Sequence, residues 1–313
     1  MSVKSLLRLN RRFAPVSHPF NDEASGGMTY GEWEFSRGAA AVSCYEKRFS
    51  PEEMFSGRDV LDVGCGEGGK TLYFLSLGAK SVTGIDAVSD YREKAVALAE
   101  RLGFSGGHSF VTGDAASLPF KDASFDTVTM NDFFEHVGSP EKALSEAMRV
   151  LRPGGRLYIN FPPYYHPYGA HLSDAINIPW VHMLYGEKTL IGAYEALTEP
   201  LPDRERRLSL KISVSENGEK HISYINKMTL KKARKIIAAS GIKPVYKRFI
   251  PLRRWLAPLS FLPGLREMLI KMAVYVFEKE ENSQNEKAVD KKEPALSVGG
   301  DSVYRADGSR HGV

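Results

Sequence analysis

Four glycines crowd the segment Asp62-Val63-Gly64-Cys65-Gly66-Glu67-Gly68-Gly69, directly after a short apolar run. Gly64, Gly66 and Gly69 satisfy G-x-G-x-x-G, a spacing that lets the backbone turn closely against a ligand at a helix N-terminus. Asp86 stands 86 − 66 = 20 positions beyond Gly66, at the end of the next apolar run. There one carboxylate can accept from both hydroxyls of a ribose. Loop and acid together fit a dinucleotide as well as any other ribose-bearing cofactor; the plain alternative is a tight strand–helix turn with no ligand. Cys65 reads as a small loop residue, neither nucleophile nor metal ligand.

A second chemistry-bearing group follows later in the chain. Asn131-Asp132-Phe133-Phe134-Glu135-His136 comes first, then Phe161 to Asp174 with Tyr164, Tyr165, His166, Tyr168 and His171. His166 and His171 are the expected catalytic pair, as base or acceptor-positioning groups, with loop packing as the alternative. For His136 a structural or cofactor-flanking role is expected rather than that of a base. A metal set would draw on His166, His171, Asp174 and His182. The five-residue histidine spacing does not stack two imidazoles on a helix face, and Pro167 and Gly169 oppose a helix there, so no metal site is expected.

The elements that must position these residues alternate. Asp59–Val63, Ser81–Ile85, Ser109–Thr112, Asp126–Met130 and Arg156–Phe161 read as strands. Lys70–Leu77, Asp90–Leu102 and Pro140–Leu151 read as helices, the first two closed by Gly78 and Gly103. This rhythm predicts an α/β, doubly wound, mostly parallel sheet with helices on both faces. Residues 164–227 break it and predict an inserted lid after the fifth strand. Leu208–Ser213 and His221–Ile225 alternate as strands there, around a hairpin turn at Glu216–Glu219. Thr229 caps a helix through Ala239, and strands near Lys243–Ile250 and Met272–Phe277 could complete the sheet.

Asp62-x-Gly64-x-Gly66-x-Gly68, Gly84-Ile85-Asp86, Gly113-Asp114-Ala115 and Leu151-Arg152-Pro153-Gly154-Gly155 occur in this order. Together they resemble the class I S-adenosylmethionine-dependent methyltransferases, in particular the type 11 group that includes quinone-biosynthesis methyltransferases, across Val60 to Phe161. The resemblance implies a Rossmann-like fold, S-adenosylmethionine as cofactor, and methyl transfer to a small or lipid-like acceptor, with O- or C-methylation favoured. It implies that the backbone at Gly64 and Gly66 holds the methionine end and that Asp62 supports this loop and the amino group. Asp86 would bind the ribose with Ala87 beside the adenine, Asp114 and Ala115 would meet the adenine, and Asn131 would lie under the sulfonium side. An Asx-type turn is the alternative role for Asp114. Two other readings share the glycine pattern, a nicotinamide-dependent oxidoreductase and a non-catalytic scaffold. The Gly113–Ala115 and Leu151–Gly155 segments count against the first, and the intact loop and acids against the second.

The chain of 313 residues is 42% hydrophobic, which excludes collagen-like and wholly disordered classes, and its two cysteines are too few for a disulfide framework. The cysteine count fits a reducing compartment, so a cytoplasmic protein is expected. The net charge of +4 is mild, but its placement is uneven. Residues 1–27 predict a basic N-terminal tail, carrying Lys4, Arg8, Arg11 and Arg12 with no acid before Phe20 and no apolar core of signal-peptide length. Residues 28–279 form the expected catalytic domain, and 280–313 predict a disordered tail. Within 229–271 eleven cations face one acid, Glu267, with Phe249, Trp255, Leu259 and Leu265 among those interleaved. Such a mixture suits peripheral attachment to an anionic membrane surface, against the plainer reading of apolar packing with a solvated basic rim. No helix-turn-helix, zinc or RNA-reading signature points to nucleic acid.

Overall fold

The structure is a computed structural model that describes residues 2–24, 26–262 and 265–281. The tail expected over 280–313 therefore lies outside the described residues except at its first two positions.

The stretch expected as a basic N-terminal tail holds a packed helix among its described residues. Helix α1 (Val3–Asn10) has Ser2 as its N-cap, accepting from the Ser5 amide, and buries Leu6 completely. Amphipathic spacing wins over net charge here: Val3, Leu6 and Leu7 face inward while Lys4 and Arg8 stay in water. Four short helices follow: α2 (Pro19–Ala24), α3 (Tyr30–Ser36), α4 (Gly38–Val42) and α5 (Pro51–Phe55). Capping boxes open two of them, Thr29 with Glu32 and Ser50 with Glu53.

The alternating core then runs β1 (Asp59–Val63), α6 (Gly69–Ser76), β2 (Ser81–Asp86), α7 (Ser89–Arg101), β3 (His108–Thr112), β4 (Phe125–Asn131), α8 (Pro140–Val150) and β5 (Leu151–Phe161). The insertion holds α9 (Val181–Leu184), α10 (Glu187–Thr198), α11 (Arg204–Lys211) and the hairpin β6 (Ile212–Val214) and β7 (Lys220–Ile222). Helix α12 (Leu230–Ala239) and strands β8 (Tyr246–Pro251) and β9 (Ile270–Glu278) close the fold. Strand order is β3-β2-β1-β4-β5-β9-β8, with β9 antiparallel to both of its neighbours and the first five strands parallel.

Both sheet faces are covered, as expected of a doubly wound domain. Leu61, Val128 and Leu157 pack with α8 and α12 residues such as Leu144 and Ala233. Val60, Val82 and Tyr158 pack on the other face with Phe55 and Phe74. The insertion has a hydrophobic cluster of its own, built from Leu172, Ile176, Ile191, Tyr194 and Ile225, and Leu6 of α1 belongs to it. Leu208–Lys211, expected as strand, is helical. Arg207 and Lys211 are four apart, so a helix puts both on one face, and both pair there with the buried Asp174, at 3.0 and 2.6 Å. The expected hairpin does form, pairing Ser213 with His221. Among the described residues no helix is long and apolar enough to cross a membrane.

Candidate functional site

Strand order reverses between β1 and β4, and at such a switch point the carboxyl ends of the strands splay to leave a crevice. A cavity of about 860 Å³ lies there. Its wall combines the glycine loop and the ends of β2, β4 and β5 with residues of α2–α4 and of the insertion.

Gly64 and Gly66 turn through φ of +76° and +53°, conformations a side chain would strain. A Cβ on Gly64 would fall 2.1 Å from the Phe133 ring. Asp86 ends β2 with one carboxylate oxygen accepting the Gly66 amide at 3.0 Å and the other the Val88 amide at 3.0 Å. The carboxylate keeps acceptor capacity beyond these amides. Ala87, Asp114, Ala115 and Asn131 also line the cavity. Asp114 accepts the Ala116 amide at 2.9 Å through Oδ1, which is the Asx-type turn held open as its alternative role. Asn131 is held from below: its Oδ1 accepts from the Tyr45 hydroxyl at 2.9 Å and from the Asn160 amide. Asp62 stands behind the loop rather than in the wall. It is 3% exposed and accepts from the Thr71 and Thr129 hydroxyls, each at 2.7 Å. Burial pushes its carboxyl up to about 6 despite those two donors. Cavity size, a two-oxygen acceptor at Asp86 and the side-chain-free loop suit a ribose-bearing cofactor.

His166 and His171 both reach the cavity from the insertion. His166 Nδ1 accepts the Tyr168 amide at 3.2 Å, so in the neutral ring Nε2 carries the proton. Burial lowers its pKa to about 4. His171 stands edge-on to His136, ring centroids 4.8 Å apart, and burial pushes it well below the usual imidazole range. His136 donates from Nδ1 to the Tyr224 carbonyl at 2.7 Å and is lowered by burial to about 4. The set weighed for a metal from sequence is not assembled. Asp174 is taken by Lys211, Arg207 and the Tyr194 hydroxyl, and His182 packs on the Tyr164 ring.

Several wall residues escaped the sequence reading. Tyr30 lies against Gly66, and Lys70 bridges Glu34 and Asp132 at 2.9 Å each, tying α3 and α6 to the end of β4. Burial alone would lower the Lys70 pKa, but those two carboxylates hold it above the ordinary lysine value. Glu67, inside the glycine loop, accepts the Gly31 amide at 3.1 Å and pairs with Lys94 at 3.0 Å and with Arg206 of the insertion at 2.9 Å. The Thr29–Glu32 capping box was the readable signal that a helix carries Tyr30. Nothing local in the sequence pairs Glu67 with Arg206, which lies 139 positions away.

Residues 61–159 match the family described as a methyltransferase domain. The chain is 39% identical over 111 residues to the ubiquinone/menaquinone biosynthesis C-methyltransferase UbiE of Roseobacter denitrificans, a match covering 33% of this chain and 42% of that relative. It is 32% identical over 188 residues to the demethylmenaquinone methyltransferase of Beutenbergia cavernae, covering 58% of this chain and 75% of that one. The chain thus spans less than half of the first relative and three quarters of the second. The solved [4+2]-cyclase SpnF superposes with a TM-score of 0.51 at 17% identity, over 84% of this chain and 92% of that one, a likeness of fold alone. The matches do not favour a nicotinamide-dependent oxidoreductase. With identity above 30% sustained over three quarters of a relative, the chain belongs to the class I S-adenosylmethionine-dependent methyltransferases.

Proposed function

We propose that this chain transfers a methyl group from S-adenosylmethionine to an oxygen or carbon nucleophile of a small or lipid-like organic acceptor. One observation carries the reading: a single cavity is lined both by the Gly64–Gly66 loop with Asp86 and by His166, Tyr168 and His171 of the insertion. The cofactor, when bound, supplies an electrophilic methyl carbon on its sulfonium. The chain's part is alignment and the exclusion of water. Asp86 would hold the ribose, Ala87, Asp114 and Ala115 would meet the adenine, and the backbone at Gly64 and Gly66 would hold the methionine end. Asp62 would brace that loop and Asn131 would lie near the sulfonium.

On the acceptor side, residues 164–227 act as the lid. His166 presents a donor from Nε2 and orients an acceptor oxygen, while His171 stands as the second acceptor-facing imidazole. The activities the two relatives are named for support a quinone-like lipid acceptor. The test is methyl-labelled S-adenosylmethionine incubated with the chain and a lipid extract. Label should move into an organic-soluble product and fall sharply with His171→Ala. Label that stays on the cofactor with every extract fraction would contradict the reading.

A further inference from the structure

Beyond the end of β4 lies a carboxylate with nothing to do. Glu135 is 2% exposed, and among the described residues neither of its oxygens has a hydrogen-bond partner. A buried carboxyl left in that state costs free energy unless it is protonated or something else pairs with it. Its neighbours are two imidazoles. His136 gives its Nδ1 proton to the Tyr224 carbonyl, which leaves the Nε2 lone pair 3.7 Å from Glu135 Oε1. A carbonyl that fixes the tautomer in this way is the usual support of a metal-bound histidine. His171 completes the group, and one ligand atom from each of the three residues lies within 4.8 Å of the other two.

The supports are as specific as the ligands. His171 is held at φ +54°, a conformation a β-carbon disfavours, by its amide on the Tyr168 carbonyl and by Lys211 Nζ on its own carbonyl. Asn226 donates from Nδ2 to the Phe134 and Val137 carbonyls and from its amide to the Glu135 carbonyl, pinning the turn that carries Glu135 and His136. All three candidate ligands line the cavity.

We propose that Glu135, His136 and His171 form a binding site for a divalent transition-metal ion of the zinc, iron or cobalt type, whose open positions face the cavity and take an oxygen of the acceptor. The ion class follows from the donors: two imidazoles and one carboxylate suit these metals, whereas magnesium and calcium want all-oxygen cages. Three protein ligands leave room for water or substrate. Ligand atoms around a tetrahedral ion with bonds of about 2.0–2.2 Å sit roughly 3.3–3.6 Å apart, so the trio closes on binding. The acceptor part of the proposal rests on the function proposed above; the metal site itself does not.

The chelator-treated full chain is titrated with Co²⁺ alone, following visible absorption, and then with Zn²⁺ by calorimetry. S-adenosylhomocysteine binding is measured on the same samples as the check of fold and cofactor site. One ion should bind per chain, and Glu135→Gln and His171→Ala should each weaken it by about 10-fold or more, with S-adenosylhomocysteine affinity kept. Wild-type chain that binds S-adenosylhomocysteine but gives neither cobalt absorption nor zinc heat overturns the site. Metal affinity unchanged in both variants overturns it equally. Loss of S-adenosylhomocysteine binding by the wild type would sink the methyltransferase reading instead, and the metal titration would still judge the site.

Discussion

Asp62 and the histidines show how burial decides what a side chain does. Asp62 was legible as an acid before the glycine loop, but its isolation behind the loop depends on Thr71 and Thr129, one on α6 and one on β4. Asp62→Asn turns one acceptor toward a donor and should cost about 1–3 kcal/mol of stability. Its pKa is raised by burial from 3.8 to about 6. The stabilising contribution is therefore full below the unfolded value and is lost as pH rises through the folded one. The Asp62→Asn penalty in urea unfolding should accordingly be larger at pH 5 than at pH 8; a penalty that grows with pH would refute this. The histidines differ by tautomer. Nitrogen-15 shifts at pH 6 should show neutral rings, with the proton on Nδ1 in His136 and on Nε2 in His166, and an imidazolium in either would contradict the geometry. The sequence marked His136 as chemical but could not give its tautomer, because the deciding carbonyl at Tyr224 is 88 positions away.

At the scale of elements, the parts that depend on local pattern were readable and the parts that depend on distant partners were not. The five parallel strands, the Thr229 cap and the hairpin at Glu216–Glu219 follow from apolar periodicity and turn residues. Helix α1 was missed because a basic, acid-free start reads as a tail, and the stripe of its four apolar residues, Val3, Leu6, Leu7 and Leu9, gains meaning only against α10. Leu6→Ala should cost about 2–5 kcal/mol and loosen the insertion, read as faster amide exchange in α10. A change under about 0.5 kcal/mol, the scale of an exposed-site substitution, would mean the helix is not docked. The alternation Leu208-x-Leu210-x-Ile212 misled for a similar reason: period two looked like a strand until Asp174 gathered Arg207 and Lys211 on one helical face.

Over the whole molecule, the uneven charge has a shape. Trp255 is 74% exposed and Leu259, Leu262 and Leu265 are 43–48% exposed, beside the exposed Arg253 and Arg254. These four do not pack into the core, whereas Phe249 of the same segment does, and attachment of the exposed part to an anionic membrane surface is the proposal that flotation tests. Vesicles with anionic lipid should carry the chain upward in a flotation gradient at low salt. Arg253→Ala with Arg254→Ala should cut binding by more than about 10-fold, at roughly 1 kcal/mol per cation; absence of flotation at any salt would end the idea. The alternation of strands and helices was legible from apolar periodicity, and the glycines and acids of the candidate cofactor edge from their fixed intervals; the strand order was not read from sequence. Of the opposite wall of the cavity only His136, His166, Tyr168 and His171 were legible, because the residues from 17–44 that join them come from far away in the chain.

We propose that this edge of the sheet binds S-adenosylmethionine through Asp86. Calorimetric titration with S-adenosylhomocysteine tests it most directly. The wild type should bind saturably, and Asp86→Ala, which loses charge-assisted bonds worth about 1.5–3 kcal/mol each, should bind about 10- to 100-fold more weakly. A folded wild-type chain that gives no heat, or an Asp86→Ala variant that binds as tightly as the wild type, would contradict it.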